Sequence, residues 1–214
     1  MVERGDRWTL GSTARRVVEI WREGGPGVLF WKMLGETVFR RMRYFERSLS
    51  DPIPPACPMP GVTVEELPPE RWREAQQVRP GTSVEEIARR LRGGDRCFTA
   101  TVQGRIVHVG WIATGMAWCE ALGSELPLER NAAYYYGSFT VPEMRGRGLA
   151  PEVSKLYQRL LRQAGFQSVV AVADAENRSG IWSLEKSGYR PAGWFGVLRL
   201  GPWRRLIRWN GAQE

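Results

Sequence analysis

Val141-Pro-Glu-Met-Arg145-Gly146-Arg147-Gly148-Leu149-Ala150 joins the end of a strand-like stretch to the start of a helix-like one. Upstream, Tyr134 to Val141 is aromatic and β-branched, which predicts a strand. Downstream, Leu149, Val153, Leu156, Tyr157, Leu160 and Leu161 recur at helical spacing until Gly165 ends the run. Glycines at 146 and 148 remove Cβ atoms where the backbone must approach a ligand. The start of the helix leaves backbone N–H groups without intrahelical partners, and its positive dipole end favours an anion. Arg145 and Arg147 add charge to a turn already built to hold phosphate.

The next elements narrow the choice of phosphate ligand. Ser168 to Ala173 is a nearly continuous apolar run with no alternation, the pattern of a strand covered on both faces and parallel to the first. The result is a β-α-β unit. A dinucleotide fingerprint is disfavoured, because Gly146-x-Gly148 is followed by Pro151 where a third glycine belongs and because the segment arrives late in the chain. A P-loop is excluded by the absence of Gly-Lys-Ser or Gly-Lys-Thr.

Arg145-Gly146-Arg147-Gly148-Leu149-Ala150 resembles the acyl-CoA signature of the GNAT superfamily of N-acyltransferases: Gln or Arg, any two residues, Gly, any residue, then Gly or Ala. A second block, Asn177 to Tyr189, resembles that family's Asn-led helix ending in Glu-Lys-x-Gly-aromatic, here Glu185-Lys186-Ser187-Gly188-Tyr189. The resemblance runs from Gly61 to Leu200. It implies a mixed α/β (α+β) fold, with a central mixed twisted sheet and flanking helices. It implies acetyl-CoA or another acyl-CoA as donor and an amine of a small molecule, sugar or peptide as acceptor. The donor contacts it implies are Phe139, Thr140 and Val141 on the strand, Arg145 to Ala150 in the turn, and Asn177 and Ser179 in the second block. A backbone N–H among residues 139 to 141 would polarise the thioester carbonyl.

The resemblance is incomplete where proton transfer is concerned. The strand position at which some members carry a glutamate base falls on Tyr134, and the position of the tyrosine that protonates the leaving thiolate falls on Leu184. Ser183 is a weak substitute. Glu120, Glu125, Glu129 and Asp174 are the candidate bases, with Glu120 favoured because its apolar neighbours would raise its pKa. His108, the single histidine, is either a substrate contact or a core residue on the face it shares with Ile106, Gly110 and Ile112. Tyr134, Tyr135 and Tyr136 alternate faces, so at most two of them reach a cleft, and Tyr136 is a candidate acceptor contact.

Composition sets the remaining bounds. With 214 residues, 43% of them apolar, the chain can form one well-cored domain plus an appendage. A net charge of +8 points to an anionic partner, yet the arginines are scattered and no nucleic-acid module occurs. Three widely spaced cysteines and one histidine indicate neither a disulfide framework nor a metal site, which fits a reducing cytoplasm. A proline-rich linker over 48–61 divides the chain into an N-terminal helical extension (1–60), a core (61–207) and a tail (208–214). In the extension, Trp31, Leu34, Val38, Met42 and Phe45 predict an amphipathic helix over 28–47, with Lys32, Glu36, Arg40, Arg43 and Arg47 opposite. Such a helix would pack on its own domain, on a second copy in a homodimer, on an anionic membrane surface or on an acyl carrier protein. The last two options keep open a carrier-dependent transferase and a membrane-binding module, and Leu184 and Tyr134 at the catalytic positions keep open a non-catalytic module that senses acyl-CoA or docks on a membrane surface.

In the core, Ser83-Val-Glu-Glu86 is a capping box, Gln103-Gly104 turns a hairpin, and a long loop from Gly115 to Asn131 would border the acceptor.

Overall fold

A computed structural model describes residues 25–27, 30, 31, 34, 38–57, 59–79, 81–119, 124–126, 128–200 and 203–209. Expectations for residues 1–24, for Glu120 and for 210–214 fall outside these residues. The chain passes through β1 (Phe39–Ser48), β2 (Val62–Leu67), a 3-10 turn (Pro69–Arg71), α1 (Trp72–Val78), α2 (Val84–Arg92), β3 (Arg96–Val102) and β4 (Arg105–Ala113). Next come a small hairpin, β5 (Ala117–Cys119) and β6 (Ser124–Leu126), then β7 (Ala132–Thr140) and α3 (Leu149–Gln163). The chain closes with β8 (Ser168–Asp174), α4 (Arg178–Lys186), β9 (Arg190–Leu200) and β10 (Trp203–Trp209). Eight strands form one mixed sheet in the order β10-β9-β1-β8-β7-β4-β3-β2. Among the described strands only β7 and β8 run parallel, as the unbroken apolar run of β8 predicts.

Local signals place the hairpins and helix ends. Gln103 (φ 49°) and Gly104 (φ 79°) are both left-handed, as a tight turn between β3 and β4 requires. The Ser83 hydroxyl accepts from the Glu86 N–H at 3.1 Å and caps α2. The stretch expected as a long loop after β4 instead forms the β5–β6 hairpin.

The predicted helix over 28–47 is corrected from Phe39 onward: residues 30, 31 and 34 are helical, but residues 39–48 are a strand inside the sheet. β1 pairs antiparallel with β8 on one side and β9 on the other. Its apolar residues mimic helical spacing because an interior strand buries both faces and so need not alternate. Met42 packs on one face with Phe195 and Val197, and Phe45 on the other with Tyr157 and Val169. The basic residues turn inward to partners: Arg40 to Asp174, Arg41 to Glu176, and Arg43 over the Trp194 ring. The boundary drawn at residue 60 therefore cuts between strands of one sheet, and the basic helical stripe offered to a membrane or carrier is absent there. No helix among the described residues is long and apolar enough to cross a membrane.

Two layers of helix cover the sheet. α3 and α4 close one face over Phe98, Ile112, Ala133 and Ala171, while α1 and α2 close part of the other over Val109 and Trp111. A buried polar cluster ties α3 to its neighbours. Gln158 accepts from Arg47 Nε at 3.2 Å and donates to Ser154 Oγ at 2.7 Å and to the Ser187 carbonyl at 2.9 Å. Ser154 donates to the Tyr157 hydroxyl at 2.8 Å, and that hydroxyl lies 2.9 Å from the Tyr189 hydroxyl. Arg47 also donates to Asp51 and the Pro52 carbonyl, so the proline-rich linker is held against the same helix.

Candidate functional site

The cleft begins where two parallel strands part. β7 and β8 pair only from Ala132–Ser168 to Tyr135–Ala171. On its other edge β7 carries a bulge: Trp111 pairs with Tyr136 and Val109 with Phe139, so Gly137 and Ser138 face Gly110 alone. Gly137 has φ 62°, and a Cβ there would lie 3.1 Å from Arg90 Nη1 and 3.2 Å from Trp111 Cδ1. Beyond the bulge, residues 136–140 of β7 and 172–174 of β8 line a cleft of about 580 Å³. The splay leaves the edge of β7, including Phe139 and Thr140, without a strand partner on the β8 side.

The glycine turn closes one end of this cleft. Gly146 (φ 74°) and Gly148 (φ 76°) are both left-handed, and beyond their chain neighbours no atom of a described residue lies within 4 Å of where their Cβ atoms would be. The glycines are thus demanded by backbone conformation, and the space in front of them is open. Gly148 is the N-cap of α3 and no side chain caps that end, so the first N–H groups of the helix face the cleft without intrahelical partners. Pro151, in the first turn, has no N–H to satisfy. Arg145, Gly146, Arg147, Gly148, Leu149 and Ala150 all line the cleft. Arg145 is steadied by a 3.2 Å bond from its Nε to the Thr140 carbonyl and by the Phe139 ring, 5.7 Å away.

α4 forms the opposite lip through Asn177, Ser179, Trp182, Ser183 and Leu184. Asn177 is the helix N-cap: its Oδ1 accepts from the Gly180 N–H at 3.0 Å and from Ser179 Oγ at 3.2 Å. Leu184 is buried in the core.

At the far end, Trp118 and Cys119 of the hairpin join Tyr134, Tyr136, Arg40, Arg79 and Arg90. Tyr134 and Tyr136 stack with ring centroids 5.4 Å apart and nearly parallel planes. The Tyr136 hydroxyl donates to Asp95, and burial raises both groups above their ordinary pKa. Tyr135 points to the other face, stacked on Tyr157 at 5.0 Å, and burial pushes its phenol up to about 12. Asp174 is the single carboxylate among the described residues lining the cleft, and Arg40 grips it through two bonds of 2.6 and 2.8 Å. It is held as half of an ion pair rather than as a free base. Glu125 and Glu129 are exposed and do not line the cleft.

His108 does not line the cleft. It is fully buried on the α3 side of the sheet, its Nδ1 2.7 Å from Thr140 Oγ1 and its Nε2 without a hydrogen-bond partner among the described residues. Burial pushes the imidazole down to about 4, so it is neutral at physiological pH. A bulge at Val107 on β4, opposite the Ala100–Thr101 step of β3, moves Ile106 to the opposite face, among Val109 and Trp111. The core alternative for His108 is the one realised, and its link to the cleft runs through Thr140. The arginines at 40, 79 and 90 had no sequence signal as a group, because α1, α2 and β1 bring them together only in the fold.

No protein-family model matches the chain, and no curated protein matches it. Solved structures do. A GCN5-related N-acetyltransferase from Sphaerobacter thermophilus superposes with a TM-score of 0.58 at 16% identity, over 84% of this chain and 56% of that one. An acetyltransferase of the GNAT family from Colwellia psychrerythraea gives 0.53 at 10% identity, over 73% and 55%. The chain spans less than two thirds of the length of either. At these identities the likeness establishes the fold: a GNAT-type mixed sheet with flanking helices.

Proposed function

We propose that the chain transfers an acyl group, in the simplest case acetyl, from acyl-CoA to an amine. The observation that carries this reading is the opening between β7 and β8 directly in front of the left-handed Gly146–Gly148 turn. The residues present fit a CoA donor. An uncapped helix start with open space before it suits a pyrophosphate, and Arg145 and Arg147 supply positive charge beside it. The unpaired edge of β7 at Phe139 and Thr140 would hold the extended amide arm by main-chain bonds, whereas the Val141 N–H, expected as a donor contact, is taken by the Val107 carbonyl at 3.0 Å. One backbone N–H there would stabilise the negative charge that develops on the thioester oxygen. Asn177 shapes the opposite wall by fixing the start of α4.

The acceptor must arrive as a free amine. Arg79 and Arg90 at the far end disfavour an ammonium beside them, lowering its pKa, and solvent then takes the proton. The thiolate leaves without a tyrosine acid, because Leu184 occupies that helical position, and is protonated by water or by Ser183 on the lip. The same feature favours one second reading, an acyl-CoA-sensing module without turnover. Thiol release from acetyl-CoA across a broad amine panel decides between them. Amine-dependent release is expected, and tight CoA binding with no release for any amine would establish the sensor.

A further inference from the structure

Resting on the acyl-transfer reading, we infer that the far end of the cleft is a seat for an oxyanion on the acceptor, so that the substrate class is an amine bearing a carboxylate or phosphate. Two guanidinium groups converge on the β7 bulge. Arg90 Nη1 and Arg79 Nη1 lie 3.1 and 3.8 Å from the point where a Gly137 Cβ would sit. The absence of that Cβ is what lets them approach the strand. Both side chains line the cleft, two residues along β7 from Phe139 at the donor end.

Their charges are balanced differently. Arg90 is buried, paired with Glu86 and set against the rings of Trp111 and Tyr136 at 5.1 and 4.9 Å. Asp95 also lies close to it and holds the Tyr136 hydroxyl. Arg79, half-buried just past the C-terminus of α1, makes no side-chain hydrogen bond or ion pair with any described residue. Asp174, the one carboxylate of the described lining, is occupied by Arg40. Among the described residues, the far end therefore presents the Arg79 guanidinium fork to the cleft without a carboxylate partner, the geometry that binds a carboxylate or phosphate through two N–H groups. A polycationic acceptor would meet repulsion there.

Matched acceptors test the assignment: free amino acids against their amides, and O-phosphoethanolamine against ethanolamine, with acetyl-CoA as donor. The anionic member of a pair should win in kcat/KM by about tenfold or more, mostly through KM. Arg79→Gln should remove about tenfold of that advantage. The pair with the larger ratio identifies carboxylate or phosphate as the group seated. Equal rates within both pairs, a preference that survives Arg79→Gln, or no turnover with any of the four would overturn the inference. A separate calorimetric titration with CoA alone keeps the donor reading distinct: CoA binding with equal rates sinks only the anion seat, whereas absence of CoA binding removes acyl transfer itself.

Discussion

The body of α3 and its N-terminus are built on opposite principles. Along the body, Ser154, Tyr157 and Gln158 are buried and bonded to Arg47, Tyr189 and the Ser187 carbonyl, so the polar atoms that face the core find partners. At the N-terminus, two left-handed glycines leave backbone donors uncapped before open space. A satisfied body fixes the helix on the sheet. An unsatisfied end then aims its donors without reorganisation when an anion arrives.

The largest effect should come from filling the open end. Gly148→Trp puts a side chain at φ 76° and an indole in the cleft, and should weaken CoA binding by at least roughly 100-fold in calorimetry. Retention of wild-type affinity would mean that the end is not a donor site.

The buried core beneath α3, where β4 carries His108, should respond to pH instead. Burial depresses His108 from 6.5 to about 4. The unfolded chain therefore takes up a proton below about 6.5 that the folded imidazole refuses until about 4. Stability is full above that window and falls as pH drops through it, by about 3 kcal/mol in all. Urea titrations from pH 7 to pH 4 should show the slope, and His108→Asn should flatten it. Arg47→Met comes next. It strands Gln158 Oε1 and the Pro52 carbonyl and leaves Asp51 to Arg190 alone, and should cost about 2 kcal/mol in urea unfolding. If it costs nothing, the network is not what fixes α3. Asn177→Ala, at the cap beside the open end, should cost about 1 kcal/mol, and Asn177→Asp should restore it.

The difference between the two regions also explains what could be read from the sequence. The glycine turn, the α2 cap and the β3–β4 hairpin are local devices whose residue types are dictated within a few positions. They were legible, and so was parallel β8 from its unbroken apolar run. β1 was not, because Val38, Met42 and Phe45 carry a helical spacing that an interior strand satisfies equally well by burying Met42 and Phe45 on opposite faces. Nor was the pairing of Arg40 with Asp174, partners 134 positions apart. The parting of Ile106 from the face of His108 depended on a bulge at Val107 of β4 that shifts the alternation by one residue, and no local residue type announces it. The acceptor end was hidden for the same reason: Arg79 follows α1, Arg90 lies on α2, and their meeting over Gly137 is a tertiary event.

Amide hydrogen exchange with and without CoA puts the central claim to its most direct test, since it reads both regions in one experiment. CoA should slow exchange at residues 138–141 and 146–150 while leaving the already protected body of α3 around Tyr157 unchanged. Protection elsewhere with no change at 146–150 would contradict the assignment of the glycine turn as the acyl-CoA seat.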